Sequence, residues 1–343
     1  MLTVLSPAWG GLVRGLLDVA PPAYRHQWLR RRVIRPASGG PMRTSAMTQA
    51  KPPWEWEFDW HLTNRCNFFC EYCHPQIRYV LNRKHLDEPA PELVVRRFDE
   101  LGKVCLVHMS GGEPFMYPGF VELCAGLTTG HFVSINTNLA SEDVQRFADS
   151  VPAERVAKIV AAIHQPEREL RGLELDAYAR NYLILRRAGF DVTALYVLYP
   201  PLLHRLGGDL ARLRELGVDH VRAKVFKGVH QGVRYPEGYT EEQKALILAN
   251  SGEYVFNRPY MDGMLSFCGQ PCTAGVTSFK VTVTGDVRRC ASVPTAYGNL
   301  YDGTFRPAHV NEACPARRVL VLSQCLSYLV DPPVQADTDA DDL

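Results

Sequence analysis

The sequence has no apolar run as long as the roughly 18 residues that a membrane-spanning helix needs. It also lacks an excess of either charge, because 38 Lys and Arg residues stand against 37 Asp and Glu, for a net charge of +1. A balanced chain gives no electrostatic reason to expect nucleic acid or an acidic membrane as a partner. The apolar stretch at residues 1–20 lacks the preceding positive charge of an export signal. We therefore expect a cytoplasmic protein.

Cysteine is the residue type that is unusually frequent, with ten in 343 residues. A disulfide framework is expected in a short secreted chain, which this is not. Three of the cysteines lie within residues 66–73, and five more lie from Cys268 onwards. Such clustering favours metal ligation over disulfide bonding.

Six strand-like segments alternate with five helical segments between residues 55 and 226. We predict strands at 55–63, 104–110, 131–137, 156–164, 190–199 and 218–226, and helices at 91–101, 120–127, 141–150, 175–189 and 207–217. Ser141 is expected to cap the third of these helices, and Gly189 is expected to end the fourth. The alternation predicts an α/β fold of parallel βα units, whose right-handed connections curl into a barrel or a doubly wound sheet. In both folds, ligands bind at the carboxyl ends of the strands.

The chain divides into four parts by composition. Residues 1–50 are expected to be a disordered extension, although an organelle transit peptide and a start codon further along, at Met42 or Met47, are alternatives. Residues 51–230 carry the βα units. Residues 231–332 contain a short helix and a β-hairpin that turns at residues 284–286, and residues 333–343 form an acidic tail.

A three-cysteine loop follows the first strand directly. Cys66, Cys70 and Cys73 have the spacing C-x3-C-x2-C. Three thiolates on one loop can bind three corners of a cubane cluster and leave the fourth iron without a protein ligand, and an open metal site is one that can do chemistry. A zinc site is the alternative, with His61 or His74 as a fourth ligand.

The segment SGGEPFMYPGF (110–120) lies at the end of the second strand. Its two glycines remove side-chain bulk and let the backbone approach a ligand, and Pro114 fixes the turn. Alone, this pattern describes an ordinary strand-to-helix turn. It lies about 40 residues after the cysteine loop and at the same edge of the predicted sheet, and this combination favours a binding site.

The two motifs together resemble the radical S-adenosylmethionine (SAM) superfamily over about residues 56–230. The resemblance implies a partial (β/α)6 TIM-like barrel and a [4Fe–4S] cluster whose open iron is chelated by the amino and carboxylate groups of SAM. It places Gly111, Gly112 and Glu113 against the methionyl amine of SAM and Tyr72 beside the adenine. It also implies reductive cleavage of SAM to a 5′-deoxyadenosyl radical, which abstracts hydrogen from a substrate.

Further polar residues lie at other strand ends. The resemblance suggests that Asn136 binds the SAM ribose, while ordinary Asn turn chemistry is the alternative. His164 is a candidate to contact SAM or to act as an acid or base on the substrate, and a simple backbone hydrogen bond is the alternative. Tyr199, Lys224 and Lys227 are candidate substrate contacts. The remaining cysteines at positions 105 and 124 fit apolar patterns and are expected in the core.

A second cysteine constellation lies in the C-terminal part. Cys272 and Cys290 occur in the pattern C-x12-G-x4-C, which resembles half of the SPASM or Twitch extension of radical SAM enzymes. The resemblance implies an auxiliary [4Fe–4S] cluster, with Cys314 as a third ligand. The spacing after Cys314 departs from that family, so the fourth ligand is Cys268, Cys325, the substrate or none. A zinc ribbon and free thiols are the alternatives.

These observations predict a radical SAM oxidoreductase or mutase with two clusters, acting by oxidation or rearrangement on a small-molecule or peptide substrate. The expected partner is an electron donor such as flavodoxin or ferredoxin. A peptide-modifying maturase of the same superfamily is one alternative. A non-catalytic iron–sulfur or zinc protein for electron transfer or assembly is the other.

Overall fold

A computed structural model describes residues 52–73, 81, 88–250, 257–262 and 267–316. The predictions for residues 1–50, the tail at 333–343, His74 and Cys325 lie outside the described residues. The six predicted strands are present as β1 Trp56–Thr63, β2 Cys105–Gly111, β3 Phe132–Thr137, β4 Val156–Ala162, β5 Val192–Leu198 and β6 Val221–Val225. They pair in sequence order and all in parallel, which confirms the predicted βα architecture.

Helices follow the strands, five of them as predicted, while the short helix Gln165–Leu170 was not predicted. They are α1 Pro91–Asp99, α2 Phe120–Leu127, α3 Val144–Ser150, α4 Gln165–Leu170, α5 Leu175–Arg187 and α6 Leu206–Glu215. Short 3-10 helices occupy Pro114–Met116, Ala153–Arg155 and Pro200–Arg205. Among the residues that the structure describes, no helix is long and apolar enough to cross a bilayer.

The helices contact one face of the sheet. Phe98 of α1 packs edge-on against Phe58 of β1, with ring centroids 5.2 Å apart. Tyr178 of α5 donates a hydrogen bond to the carbonyl of Ala161 in β4. A doubly wound sheet would carry helices on both faces, whereas a barrel carries them outside only. In the described part of the chain β6 pairs with β5 alone, so the fold is a partial, open barrel.

The opposite face of the sheet, called the inner face here, carries most of the polar side chains of the strands. Side chains alternate between the faces along each strand, and residues paired across strands share a face. On β1, Phe58 and Trp60 belong to the helix-covered core, while Asp59 and His61 point to the inner face. By register, the inner face also carries His108, Ser134, Asn136, Lys158, Arg222 and Lys224.

Element ends follow backbone chemistry. α5 ends at Arg187 because Gly189 follows with φ of 90°, as the sequence predicted. β4 ends at Ala162, two residues earlier than predicted, and His164 has φ of 49°. Ser141 was expected to cap α3, but that helix begins at Val144. The Ser141 hydroxyl instead accepts the Asp143 N–H at 3.1 Å within the preceding turn.

The predicted C-terminal hairpin is present as β10 Ser278–Val281 and β11 Asp286–Arg288. The sequence did not predict its location, because β10 pairs in parallel with β1 and extends the sheet to nine strands. The ring of Phe279 stacks on Phe58 at 5.0 Å, and Lys280 forms a 2.9 Å ion pair with Asp59. The remaining elements are β7 Gly228–His230, β8 Val233–Tyr235, α7 Glu241–Asn250, α8 Asn257–Met261, β9 Pro271–Cys272, β12 Ala296–Asn299 and β13 Glu312–Ala313.

Candidate functional site

The cysteine loop and the Gly-Gly-Glu-Pro turn are bonded to each other through their backbones. The N–H of Gly112 donates to the carbonyl of Thr63 at 2.7 Å, and the N–H of Glu113 donates to the carbonyl of Arg65 at 2.7 Å. A Cβ on Gly111 would lie 2.6 Å from the Thr63 oxygen, and one on Gly112 would clash with the Arg65 carbonyl. The glycines are therefore required for close approach to the start of the cysteine loop.

Cys66, Cys70 and Cys73 occupy a sheltered loop. Cys70 is buried, and the other two are half-buried. Burial raises the pKa of the Cys66 thiol to about 12, and the neighbouring Glu113 and Cys73 add to the rise. Burial raises the pKa of Cys70 as well, with further contributions from Glu167 and the two other cysteines. The three groups are thus close enough to interact, and a cationic metal centre would offset their mutual repulsion on ionisation.

The cysteine loop suits a cubane cluster, because such a cluster binds each thiolate at a different iron. The Phe68 N–H points at the Cys66 sulfur at 3.4 Å, and hydrogen bonds to sulfur are a feature of iron–sulfur sites.

The Glu113 side chain joins the ends of two strands. It is 2% exposed, and its carboxylate accepts hydrogen bonds from Thr137 Oγ1 at 2.6 Å, from the Asn138 N–H at 2.7 Å and from the Phe115 N–H at 3.2 Å. Burial raises its pKa to about 7, although these donors and Arg168 oppose the rise. The carboxylate is thus committed to protein donors, and it ties the Gly-Gly-Glu-Pro turn to the end of β3.

Two charged residues of α4 hold the cysteine loop in place. Glu167 accepts the Phe69 N–H at 2.9 Å and pairs with Arg171, which donates to the Asn67 carbonyl at 2.8 Å. Arg168 is 1% exposed, and it donates to the Ile163 carbonyl at 2.7 Å.

Arg168 also bridges to the neighbouring strand end. It donates to the Asn138 carbonyl, and its guanidinium lies 5.5 Å from the centroid of the Phe68 ring. Sequence reasoning missed Glu167 and Arg168. The available signal was an Arg and a Glu in the first turn after a strand-end histidine.

The structure brings His164 and Tyr72 together. The Tyr72 hydroxyl and His164 Nδ1 are 3.3 Å apart, and the two rings are 5.6 Å apart. Burial, with a smaller effect of Arg168, lowers the pKa of His164 to about 4, so the imidazole is neutral at neutral pH. The Tyr199 ring lies 5.1 Å from the Tyr72 ring. Two predicted strand-end residues, His164 and Tyr199, thus both contact Tyr72 of the cysteine loop.

The other predicted residues lie farther along the sheet or in its core. Asn136 is exposed on the inner face of β3. Lys224 lies on β6, and Lys227 lies 5.8 Å from the ring of Tyr260 as a cation–π pair. Cys105 and Cys124 are fully buried in the apolar core, as predicted.

The side chains of Cys272, Cys290 and Cys314 pack together as a second group of cysteines, separate from the cysteine loop. Burial raises the pKa of Cys272 to about 11, and the other two thiols add to the rise. The short pairing of β9 with β13 and the Cys314 N–H bond to Gln270 at 2.8 Å hold this part together. The Ala274 N–H approaches the Cys272 sulfur at 3.4 Å, which repeats the N–H to sulfur contact of the first loop.

Cys268 is exposed, and the next residue, Gly269, donates its N–H to the Cys314 carbonyl at 2.8 Å. Cys268 is therefore next to a residue that is bonded to Cys314, whereas Cys325 lies outside the described residues.

Comparison with known proteins gives one family and several relatives. Residues 60–205 match the family described as the Radical SAM superfamily. The chain is 27% identical to the PqqA peptide cyclase of Gluconobacter oxydans (strain 621H) over 169 residues, which is 47% of this chain and 46% of that protein. It is 30% identical to a probable GTP 3′,8-cyclase of Methanocella arvoryzae over 83 residues, which is 22% of this chain and 24% of that protein. The chain spans about half or less of these curated relatives.

A crystal structure of Streptococcus suis SuiB bound to S-adenosylmethionine is similar in fold, with a TM-score of 0.51 and 16% identity. The match covers 73% of this chain and 64% of SuiB. At this identity the likeness shows the fold alone, and it agrees with the partial barrel described above. Residues 60–205 are therefore similar in sequence to the Radical SAM superfamily, and the fold of the chain agrees with that match.

Proposed function

We propose that this chain is an enzyme that binds a [4Fe–4S] cluster through Cys66, Cys70 and Cys73 and cleaves SAM at that cluster. The observation that supports this most strongly is the backbone bonding between the cysteine loop and the Gly-Gly-Glu-Pro turn at the carboxyl edge of the sheet. When bound, the cluster and SAM supply a one-electron reductive cleavage that gives methionine and a 5′-deoxyadenosyl radical.

The chain's own residues have positioning and binding roles in this proposal. The backbone of Gly111–Glu113 faces the methionyl amine of SAM, and the Glu113 carboxylate fixes that turn to the end of β3. Tyr72 borders the adenine and is held by the neutral imidazole of His164. Asn136 contacts the ribose from the inner face. His164 is also the proposed acid or base, since it is neutral and next to this pocket.

The proposal extends to an auxiliary [4Fe–4S] cluster on Cys272, Cys290 and Cys314. Their convergence in space, from three separate segments of the chain, is the supporting observation. A cluster here can accept an electron from a substrate radical, which favours net oxidation over rearrangement. A peptide substrate is the more favoured class, because the longer of the two curated matches is named a peptide cyclase. Flavodoxin or ferredoxin is the proposed reductant.

The first experiment measures SAM cleavage. The full chain is reconstituted anaerobically with iron and sulfide, reduced with dithionite and given SAM, and 5′-deoxyadenosine is quantified. The wild-type protein should release it, and Cys70→Ala should not. Cys124→Ala, which removes a fully buried thiol outside both cysteine groups, is the matched control and should retain cleavage. Equal yields from Cys70→Ala and wild type contradict the proposal and favour the non-catalytic class.

The second experiment counts iron. A variant in which Ala replaces all three cysteines of the first loop should retain about four irons on the C-terminal site. The complementary variant, with Ala at Cys272, Cys290 and Cys314, should also retain about four. If the first variant binds no iron, the auxiliary assignment is wrong while the SAM site is unaffected.

A further inference from the structure

The inner face of the sheet is electrically asymmetric. On the β1 side its acidic residues are already engaged, since Asp59 pairs with Lys280 at 2.9 Å and Glu57 lies 3.9 Å from His108. Within strands β4 to β6 the inward-facing charged residues are all cations, and the exposed Asp191 lies just before β5. This second group is the cationic stripe, defined as Lys158, Arg222 and Lys224.

Strand register places the stripe on one face. Lys158 pairs with Ser134 of β3. The exposed Asn136 lies two residues after Ser134 and therefore on the same face. Arg222 pairs with Leu195 of β5, which in turn pairs with Ala162 of β4. Ala162 and Lys158 are four residues apart on one strand and so share a face. The stripe therefore runs diagonally across the inner face, below the cysteine loop.

Lys158 is the residue that the fold itself does not explain. Its side chain is 6% exposed, and its Nζ is buried with no hydrogen-bond partner. Burial lowers its pKa to about 7, and repulsion by Arg222 lowers it further, against a weaker attraction from Asp191. Burial and Arg222 lower the pKa of Lys224 in the same way. A buried ammonium without a partner costs stability, so a partner from outside the chain is expected.

From these observations we infer that the stripe binds an anionic group of the substrate, a carboxylate or a phosphate, with Lys158 as its buried ion-pair partner. This inference rests on the proposed function, because it gives the substrate of that same site a charge. Lys158 lies four residues, or about 13 Å of strand, before the carboxyl end of β4. The substrate is therefore anchored by its anion inside the barrel, and its reacting carbon is held near the cysteine loop.

The inference is tested with defined probes on the reconstituted full chain. Glutarate represents a carboxylate substrate, and inorganic phosphate represents a phosphate. Glutaramide has the shape of glutarate without its charge and is the control. Calorimetry should show that wild type binds glutarate or phosphate at least about tenfold more tightly than glutaramide. The better of the two anions identifies the substrate group.

Three variants complete the test. Lys158→Met should abolish the preference for the anion and at the same time raise the melting temperature, because it removes an unpaired buried charge. If Lys158 only stabilised the fold, its replacement by Met would lower the melting temperature instead. Lys103→Met, which alters an exposed lysine paired with Glu55, is the control and should retain the preference. Lys224→Gln should weaken anion binding and supplies the test if Lys158→Met does not fold.

The outcomes separate this inference from the function on which it rests. Equal binding of glutarate, phosphate and glutaramide by wild type overturns the inference, as does a retained preference in Lys158→Met. Formation of 5′-deoxyadenosine by the wild-type protein is measured in parallel. Anion preference without that product contradicts the proposed SAM cleavage only, and product without anion preference contradicts the stripe only.

Discussion

Replacement of Glu113 by Gln tests whether this side chain is committed to the protein or to a ligand. Thr137 Oγ1 and the Asn138 N–H both donate to the carboxylate, at 2.6 and 2.7 Å. A Gln amide offers one oxygen, so its NH2 must face one of these donors and leave it unpaired in a buried site. Hydrogen bonds to charged groups contribute about 1.5–3 kcal/mol each, whereas burial of the charge costs up to about 3 kcal/mol at pH 8, so the two effects of Glu113→Gln oppose each other and the contact has to be measured by its coupling to Thr137.

A double-mutant cycle with Thr137→Val isolates the contact. Thr137→Val alone should cost about 2 kcal/mol, because the hydroxyl also accepts the Leu139 N–H at 3.0 Å. The double variant should cost about 1 kcal/mol less than the sum of the single ones, since both break the same bond. Thr137→Ser keeps the hydroxyl and is the matched control.

The assay is urea unfolding of the cluster-free chain at a pH of about 8, where the carboxylate is ionised. If the cycle shows a coupling below about 0.5 kcal/mol, the side chain is not held by these donors. The interpretation of the Gly-Gly-Glu-Pro turn as a backbone ligand would then be wrong.

Three further predictions follow from buried contacts. Because the pKa of Glu113 is raised to about 7 in the folded state, the folded chain binds more protons than the unfolded one between about pH 4.5 and 7. Wild type should therefore lose up to about 3 kcal/mol relative to Glu113→Gln as pH rises through that window, measured by urea unfolding at several pH values. Arg168→Met should cost about 3–5 kcal/mol, because the Ile163 carbonyl loses a charged donor, and Arg168→Lys should restore part of it. Tyr301→Phe should cost about 1–2 kcal/mol by thermal melting, because the buried Trp60 Nε1 loses its acceptor at 3.1 Å; no change would mean that this turn does not support β1.

The sequence predicted those parts of the fold that depend on local pattern. Strand and helix alternation, the C-terminal hairpin and the Gly189 terminator are all properties of short windows. The start of α3 was missed because Ser141 can bond its own backbone in a turn as readily as cap a helix.

The candidate site was predicted less completely, because its contacts join distant segments. The cysteine spacing and the Gly-Gly-Glu-Pro turn identified the loop, but the loop is anchored by Glu167, 98 residues from Phe69. The pairing of Tyr72 with His164 spans 92 residues and has no local signature. The sequence did not single out Lys158 either, because the burial of its Nζ without a hydrogen-bond partner is a property of the folded structure.

The parallel pairing of β10 with β1 has a consequence for synthesis of the chain. Asp59 and Lys280 are 221 residues apart, so one edge of β1 stays unpaired until nearly the whole chain has left the ribosome. An unpaired strand edge is a template for aggregation, and contacts this distant in sequence form slowly. The nascent chain therefore carries its cysteine loop on an exposed strand for most of translation, and chaperone protection of that edge should decide the yield of soluble protein.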